Sequence, residues 1–149
     1  RAKGAFDVSA LRDAIVLHLQ ADSNVIILAT GGIFPGLPTK DVSYPFVTVT
    51  TQSAPKPERA FRGDGTVASE IVFEGAEYLV KAIDQSTSPK VVSDINTALR
   101  VSLDGAAISM TGYELVNLIF AGEVQYDALS NGITYQHEGG IYQIWATKT

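Results

Sequence analysis

The sequence feature that most constrains the fold is residues 31–52, GGIFPGLPTKDVSYPFVTVTTQ, in which a helix-ending signal precedes a strand-forming run. Gly31 and Gly32 tolerate positive φ and therefore end a preceding helix. The following PGLP opposes regular structure, and Pro45 fixes the start of the β-branched run PFVTVTTQ. The stretch predicts a helix end, a shaped surface loop and the first core strand.

The composition is that of one globular domain, which we predict to span residues 1–149. Hydrophobic residues make up 46% of the chain and charged residues 18%, a balance that opposes disorder. No cysteine is present, which excludes disulfides, zinc–thiolate sites and cysteine nucleophiles. The net charge of −5 opposes non-specific binding to nucleic acid. No apolar run approaches the roughly 20 residues of a membrane span, so no membrane partner is expected.

Apolar spacing predicts three helices. The first contains Leu11, Ile15 and Leu19, which recur every four residues. Residues 24–30 form either a short second helix or a buried strand, and residues 88–103 form a longer third helix. The predicted N-terminal caps are Asp7 or Ser9 for the first helix, Asp22 or Ser23 for the second, and Ser88 followed by Pro89 for the third.

The remaining segments are strand-like. The predicted strands are residues 46–51, 66–73, 77–85, 113–121, 123–129, 133–137 and 141–146. We expect a break at Gly75, a bulge at Gly122, a two-residue hairpin turn at Asn131 and Gly132, and a turn or bulge at Gly139 and Gly140. Residues 113–121 alternate poorly and are expected to be buried on both faces of the sheet. Residues 53–65 are predicted to be a long exposed connection. The chain is therefore predicted to be α+β: a mixed or antiparallel sheet of about four to six strands, packed by an N-terminal helix pair and one longer central helix.

Candidate catalytic groups are few, and each has a simpler explanation. The glycines of ATGGIFPG lack the Gly-Lys-Ser/Thr ending and the following helix of a phosphate loop. His18 and His137 are too few and too far apart for a zinc site, which takes three or four ligands. Glu70, Glu74 and Glu77 stand at strand and turn positions with no sign of a shared cleft. We predict no catalytic residue, no metal and no cofactor.

Contact residues are more plausible than catalytic ones. The segment ERAFRGDG interleaves cations with an aromatic ring, which suits docking on a protein, stacking on bases or a solvated loop tip. The aromatic residues of the earlier loop form either a local cluster or a subunit contact. The candidate interface residues are Phe34, Pro35, Tyr44, Arg59, Phe61, Arg62 and Asp64.

The order of these features resembles the tail terminator, or tail-completion, proteins of long-tailed bacteriophages and related gene-transfer particles. The resemblance starts from an N-terminal helix pair followed by GGIFPG and then YPFVTVT. It continues through a long loop, a helix that packs across the sheet and an aromatic-ended last strand. The segments that carry it are residues 32–36, 45–49, 77–85, 88–103 and 141–145, and they extend over nearly the whole chain.

The resemblance implies a structural function without an active site. It implies a homo-oligomeric ring of six subunits that caps the finished tail tube and offers a face to the head–tail connector protein. DNA would pass through the lumen without specific binding. The implied location is the virion tail or neck, and the host cytoplasm during assembly. The alternatives are another neck or tail component, such as a head-completion or tail-tube subunit, or a small-ligand-binding α+β domain.

Overall fold

The structure is a computed structural model that describes residues 8–38, 41–58 and 73–148. Its elements, in chain order, are α1 (Val8–Gln20), α2 (Ser23–Ile26), β1 (Ile33–Pro35), β2 (Phe46–Glu58), β3 (Phe73–Gln85), α3 (Lys90–Leu103), β4 (Tyr113–Ser130) and β5 (Ile133–Lys148). The strands form one five-stranded sheet in the order β1-β2-β3-β5-β4. Because β1 is parallel to β2 and the other neighbours are antiparallel, the predicted α+β fold with a mixed sheet is confirmed.

The core lies between one face of the sheet and the helices. α1 contacts β1 and β2, and α3 contacts β3 and β5. The buried helix residues include Leu11, Ile15 and Leu19 of α1 and Val92, Ile95, Leu99 and Leu103 of α3. The buried sheet residues that are cross-strand neighbours on this face are Val47, Val49, Tyr78, Val80, Tyr142 and Ile144. No helix in the described ranges has both the length and the apolar character needed to cross a membrane.

The second helix is shorter than predicted, and its cap is Asp22. The Asp22 carboxylate accepts a hydrogen bond from the backbone N–H of Asn24 (3.0 Å), which satisfies one of the free donors at the helix start. The helix ends at Ile26, and the chain continues in turns in which Ala29 donates to the carbonyl of Val25 (2.9 Å). The buried-strand alternative for this segment is wrong. Residue 7, a candidate cap of α1, lies outside the described residues.

The third helix closely matches its prediction. It begins at Lys90, whose backbone N–H donates to Ser88 Oγ (3.3 Å), so the predicted cap is one residue further from the helix than expected. Lys90 Nζ lies 3.0 Å from Asp94 Oδ2, a solvent-exposed pair of small energetic value. Gly105, with φ of 76°, follows the last helical turn, where glycine is the usual residue.

The loop after the first glycine pair contains a strand that the sequence did not predict. Val47 donates its N–H to the carbonyl of Gly32 (2.9 Å), and Gly36 donates to that of Val49 (2.8 Å). These bonds make Ile33–Pro35 a short parallel strand, β1. Along β1 only every second residue bonds to β2, as Gly32 and Gly36 do. Pro35 lies between two such residues, so the N–H that it lacks would not have bonded to β2. Proline was therefore not the barrier to regular structure that we expected.

The predicted exposed connection at residues 53–65 is wrong over its first part. β2 runs to Glu58, and pairs such as Ser53 with Glu77 and Pro57 with Glu74 continue the ladder with β3. Register shifts between Thr51 and Lys56 accommodate the irregular sequence, since a bulge tolerates unpaired residues. Residues 59–65 lie outside the described residues.

Glycine positions account for the other corrections, because three of them permit close approach rather than a turn. β3 is continuous through Gly75, where an added Cβ would lie 2.9 Å from the ring carbons of Trp145. Gly139 and Gly140 lie inside β5, which has neither a turn nor a bulge there. A Cβ on Gly140 would lie 2.7 Å from the Phe120 ring, and one on Gly139 would overlap the backbone of β3.

Of three predictions about β4 and its hairpin, two are confirmed and one is wrong. The predicted bulge at Gly122 is confirmed by the register shift between Phe120 and Gly122. Asn131 and Gly132 have φ of 51° and 77°, as the predicted hairpin requires. Burial of the first half of β4 on both faces is wrong, because Leu118 is buried whereas Ile119 is 53% exposed.

We predict that Gly139→Ala destabilises the protein by at least about 1–3 kcal/mol, because the new methyl group would force β5 away from β3. Thermal and urea unfolding would measure the loss. Gly122→Ala is the matched control, since nothing lies within 4 Å of the Cβ that it would add. Equal stability of the two variants would show that the strands do not approach as closely as described.

Candidate assembly surfaces

Neither histidine is placed for catalysis or metal binding. His18 Nε2 lies 3.0 Å from the backbone oxygen of Ser102, a contact that ties α1 to the end of α3. The His137 ring stacks on Tyr126, with centroids 4.4 Å apart and planes 12° apart. Burial, and secondarily the Lys81 ammonium, lowers the pKa of His137 to about 4. Within the described ranges, no three His, Cys, Asp or Glu residues are grouped so as to hold a metal ion.

The glycine pair and the acidic residues have structural explanations as well. A Cβ on Gly31 would overlap the carbonyl oxygen of Ser43, and Gly32 has φ of 106°, so both positions serve the turn into β1. Gln143 donates to the Glu77 carboxylate (3.4 Å) across the sheet. Glu70 and the side chain of Glu74 lie outside the described residues. The turn is therefore shaped for packing against residues 43–45 rather than for a phosphate.

Three of the candidate interface residues lie together beside the start of β2. The ring centroid of Phe46 is 6.0 Å from that of Phe34 and 5.3 Å from that of Tyr44, and Tyr44 also contacts Tyr135 at 5.8 Å. Burial raises the pKa of the Tyr44 hydroxyl. The aromatic residues therefore form a local cluster, while Pro35 beside them is exposed. The other candidates, Arg59, Phe61, Arg62 and Asp64, lie outside the described residues.

The structure exposes an apolar surface after α2 that sequence reasoning missed. Ile26, Ile27 and Leu28 are 46%, 74% and 38% exposed, and we call these residues the α2 patch. The apolar run VIIL, residues 25–28, already indicated an exposed surface, because a single short helix cannot bury an apolar residue at every position. Large exposed apolar groups at adjacent positions are typical of contact surfaces.

A second exposed apolar surface lies at the β4–β5 turn. Leu129 is 74% exposed and Ile133 is 38% exposed, and we call these two residues the hairpin tip. The tip adjoins the start of α3, because Gln136 donates to the backbone oxygen of Ser86 (3.3 Å). The α2 patch instead adjoins the end of α3. The patch follows α1 in the chain, and His18 of α1 contacts the backbone oxygen of Ser102 near the end of α3. The two surfaces thus lie at opposite ends of α3.

A polar cavity of about 510 Å³ lies between α3 and the strands β4 and β5. Inside it, Ser93 Oγ donates to Glu138 Oε1 (2.7 Å), and Asn96 Nδ2 donates to Glu138 Oε2 (3.1 Å) and more weakly to Glu123 Oε1 (3.5 Å). Glu138 is only 5% exposed. The sequence did not indicate that Glu138 is buried, because a glutamate in a strand of alternating polarity is expected to face solvent.

A wider groove of about 610 Å³ lies between α1 and residues 107–111. Its lining is mainly apolar, with the exposed side chain of Leu17 at one wall and the buried Ile108 at another. The polar groups do not converge in it, because His18 is engaged with Ser102. The groove lacks the set of placed polar groups that fixes a small ligand.

A comparison of the sequence with protein families and with curated proteins finds no match. The fold is similar to that of a solved chain described as belonging to the virion of a native gene transfer agent particle. The TM-score is 0.71 at 14% sequence identity, and the alignment covers 96% of this chain and 99% of that chain. At this identity the similarity establishes a shared fold, over essentially the full length of both chains.

We predict that His137 makes the protein less stable as the pH falls. The unfolded histidine has a pKa near 6.5 and the folded one about 4, so between these values the unfolded state binds more protons and stability falls with the pH. Urea unfolding between pH 7 and pH 4.5 would show this slope. In His137→Phe the slope should be shallower. A slope identical to that of the wild type would contradict the assignment, as would an NMR titration midpoint near 6.5.

Proposed function

We propose that this protein is a non-enzymatic structural subunit of a virion tail or neck, and specifically a ring-forming tail terminator. The observation that carries the proposal is the full-length similarity of its fold to a chain of a gene transfer agent virion. The sequence resemblance described above points to the same class through different evidence. Both arguments concern the whole domain rather than a local motif.

The exposed apolar surfaces support association of identical copies. The α2 patch and the hairpin tip lie at opposite ends of α3 and differ in shape and sequence. When two different surfaces of one chain bind each other in successive copies, the contact is head-to-tail, and it closes into a ring if the rotation per copy permits. We propose that the hairpin tip of one copy contacts the α2 patch of the next, in a ring of six.

Such a ring would act between two neighbours. One face would bind the tail tube and stop its growth, and the other would bind the head–tail connector protein. The net charge of −5 suits a channel that must let DNA pass without holding it, because lysine and arginine are the residues that bind phosphate. Phe34, Pro35 and Tyr44 remain candidate contact residues at the faces of the ring. The location would be the virion tail or neck, after assembly in the host cytoplasm.

The second candidate is a tail-tube or head-completion subunit, for which the same fold similarity is expected. Tube subunits stack rings without limit, whereas a terminator forms single rings that stop the stacking. The small-ligand-binding alternative is less well supported, since neither of the two described cavities combines an enclosed apolar pocket with convergent polar groups.

We predict that Ile27→Asp and Leu129→Asp each break the ring, because each places an unpaired charge in an apolar contact. Mass photometry of the wild type should give particles with about six times the 15.9 kDa chain mass, and each variant should give monomers. Val101→Asp is the matched control: Val101 is 82% exposed but lies outside both surfaces.

Mixing the two variants tests whether the contact is head-to-tail. The Ile27→Asp variant retains an intact hairpin tip, and the Leu129→Asp variant retains an intact α2 patch, so the mixture should form heterodimers. A wild type that stays monomeric at micromolar concentration would contradict the proposed function. Rings that survive both substitutions but not Val101→Asp would contradict the assigned surfaces.

A further inference from the structure

Within the described residues, one edge of the sheet is open along residues 121–130, on the outer side of β4. The start of β4 is covered, because Leu118 donates to the carbonyl of Ala106 (3.1 Å) and accepts from Gly105 (2.8 Å), and Phe120 donates to Asp104 Oδ1 (3.0 Å). Beyond Phe120, no backbone group of the described chain bonds to the outer side of β4. We call residues 121–130 the open edge.

The unpaired backbone groups of the open edge can be assigned. Leu118 bonds to residues 105 and 106, so its N–H and C=O point away from β5. Alternation along the strand, shifted by one residue at the bulge after Phe120, makes Glu123, Gln125 and Asp127 point outward too. Their side chains lie on the helix-facing side of the sheet, as the place of Glu123 in the polar cavity shows.

The opposite side of the sheet is protected from strand addition, whereas the open edge is not. β1 is only three residues long and ends in Pro35, and the carbonyl of Ile33 already accepts from Gln20 (3.3 Å). The outer part of β2 contains Pro55 and Pro57, which lack the N–H that a further strand would need. The open edge, AGEVQYDALS, contains neither proline nor lysine, the usual protecting residues.

The open edge is poorly suited to pairing with its own copy. In an antiparallel pair centred on Gln125, Glu123 of one copy would lie opposite Asp127 of the other. Like charges directly opposite each other destabilise a sheet, and both pairs in this arrangement are acidic. Nor can the sheet continue into the protected side of a second copy. The occupant that these residues favour is therefore a different chain with basic side chains.

The polar cavity beside the open edge is lined by carboxylates that form no ion pair with a cation of the described chain. Glu138 is buried with only two neutral donors, Ser93 and Asn96, and no cationic group of the described chain lies within 4.0 Å of its carboxylate. Asn96 is 8% exposed, and its Oδ1 is buried without a hydrogen-bond partner. The one cation lining the described cavity, Arg100, lies over the Phe120 ring at 3.8 Å. The carboxylates of Asp104, Glu123 and Glu138 and the free amide oxygen of Asn96 thus line space that a lysine or arginine head can enter.

We propose that the open edge binds an extended segment of a partner protein that carries lysine or arginine at alternate positions. The segment adds a sixth strand to the sheet through backbone hydrogen bonds with Glu123, Gln125 and Asp127. Its basic side chains lie on the helix-facing side, where one reaches the cavity at Glu138. Its intervening residues are uncharged, because they lie beside Val124 and Tyr126 on the other face. This inference does not require the ring, since the bonds that it assigns lie at Glu123, Gln125 and Asp127, and the open edge shares only Leu129 with the hairpin tip.

The test uses the full chain and a fluorescent synthetic peptide of about ten residues that alternates lysine and valine, followed by fluorescence anisotropy at pH 7. We expect saturable binding, and slower hydrogen exchange of the open-edge amides in the complex. Glu123→Lys should weaken binding by at least about tenfold. Asp13→Lys makes the same change of charge at an exposed position on α1 and should leave binding nearly unchanged.

Two further peptides separate strand addition from general charge attraction. A peptide with glutamate in place of lysine should not bind. Two peptides with N-methyl groups on alternate backbone nitrogens are then compared, one methylated at the odd residues and the other at the even residues. Only one of them should lose binding, because only one set of N–H groups donates to the open edge. Equal weakening by Asp13→Lys and Glu123→Lys would overturn the proposal. Protection of the open-edge amides in the protein alone would also overturn it, in favour of pairing between copies.

Discussion

The strands at the two sides of a sheet carry backbone N–H and C=O groups that must find partners or face water, and this constraint governs how the protein can associate. On one side, a short strand, three prolines and a glutamine side chain leave few groups for a further strand. On the other side, residues 104–107 cover only the start of β4, and no other part of the chain that the structure describes pairs with its second half. The sheet is therefore closed to growth on one side and open on the other. A chain built this way adds one partner strand without polymerising through its sheet.

The surfaces proposed for assembly lie outside the core and share only Leu129 with the open edge. The helices pack on one face of the sheet, and their buried stripes leave the apolar residues after α2 in solvent. The hairpin tip extends past the last residue of β3 that pairs with β5, which also leaves it exposed. Self-association through these two surfaces and partner binding along the open edge can therefore occur in the same particle. A virion subunit between a tube and a connector needs several such contacts at once.

The sequence was sufficient for features set by local periodicity and failed where distant residues decide the structure. The four-residue spacing of Leu11, Ile15 and Leu19 and the Asn131–Gly132 signal act within a few residues, and both predictions are confirmed. Gly75 and Gly139 were read as breaks because glycine favours turns. Their actual function is to make room for Trp145 and for β3, which are far away in the sequence. The buried Glu138 was invisible for the same reason, since its partners Ser93 and Asn96 come from α3. The surplus of apolar residues in VIIL was a local signal of an exposed patch, and it could have been recognised.

The central claim is that the chain acts by binding copies of itself and neighbouring proteins rather than by converting a substrate. Electron micrographs of the purified protein, alone and after addition to a polymerising tail-tube protein from the same particle, test this claim most directly. The account predicts single rings of about six subunits with an open centre, and tubes whose growth stops with a ring at the end. Isolated monomers that leave tube growth unchanged would contradict the claim, whereas long tubes made of this chain alone would identify a tail-tube subunit instead of a terminator.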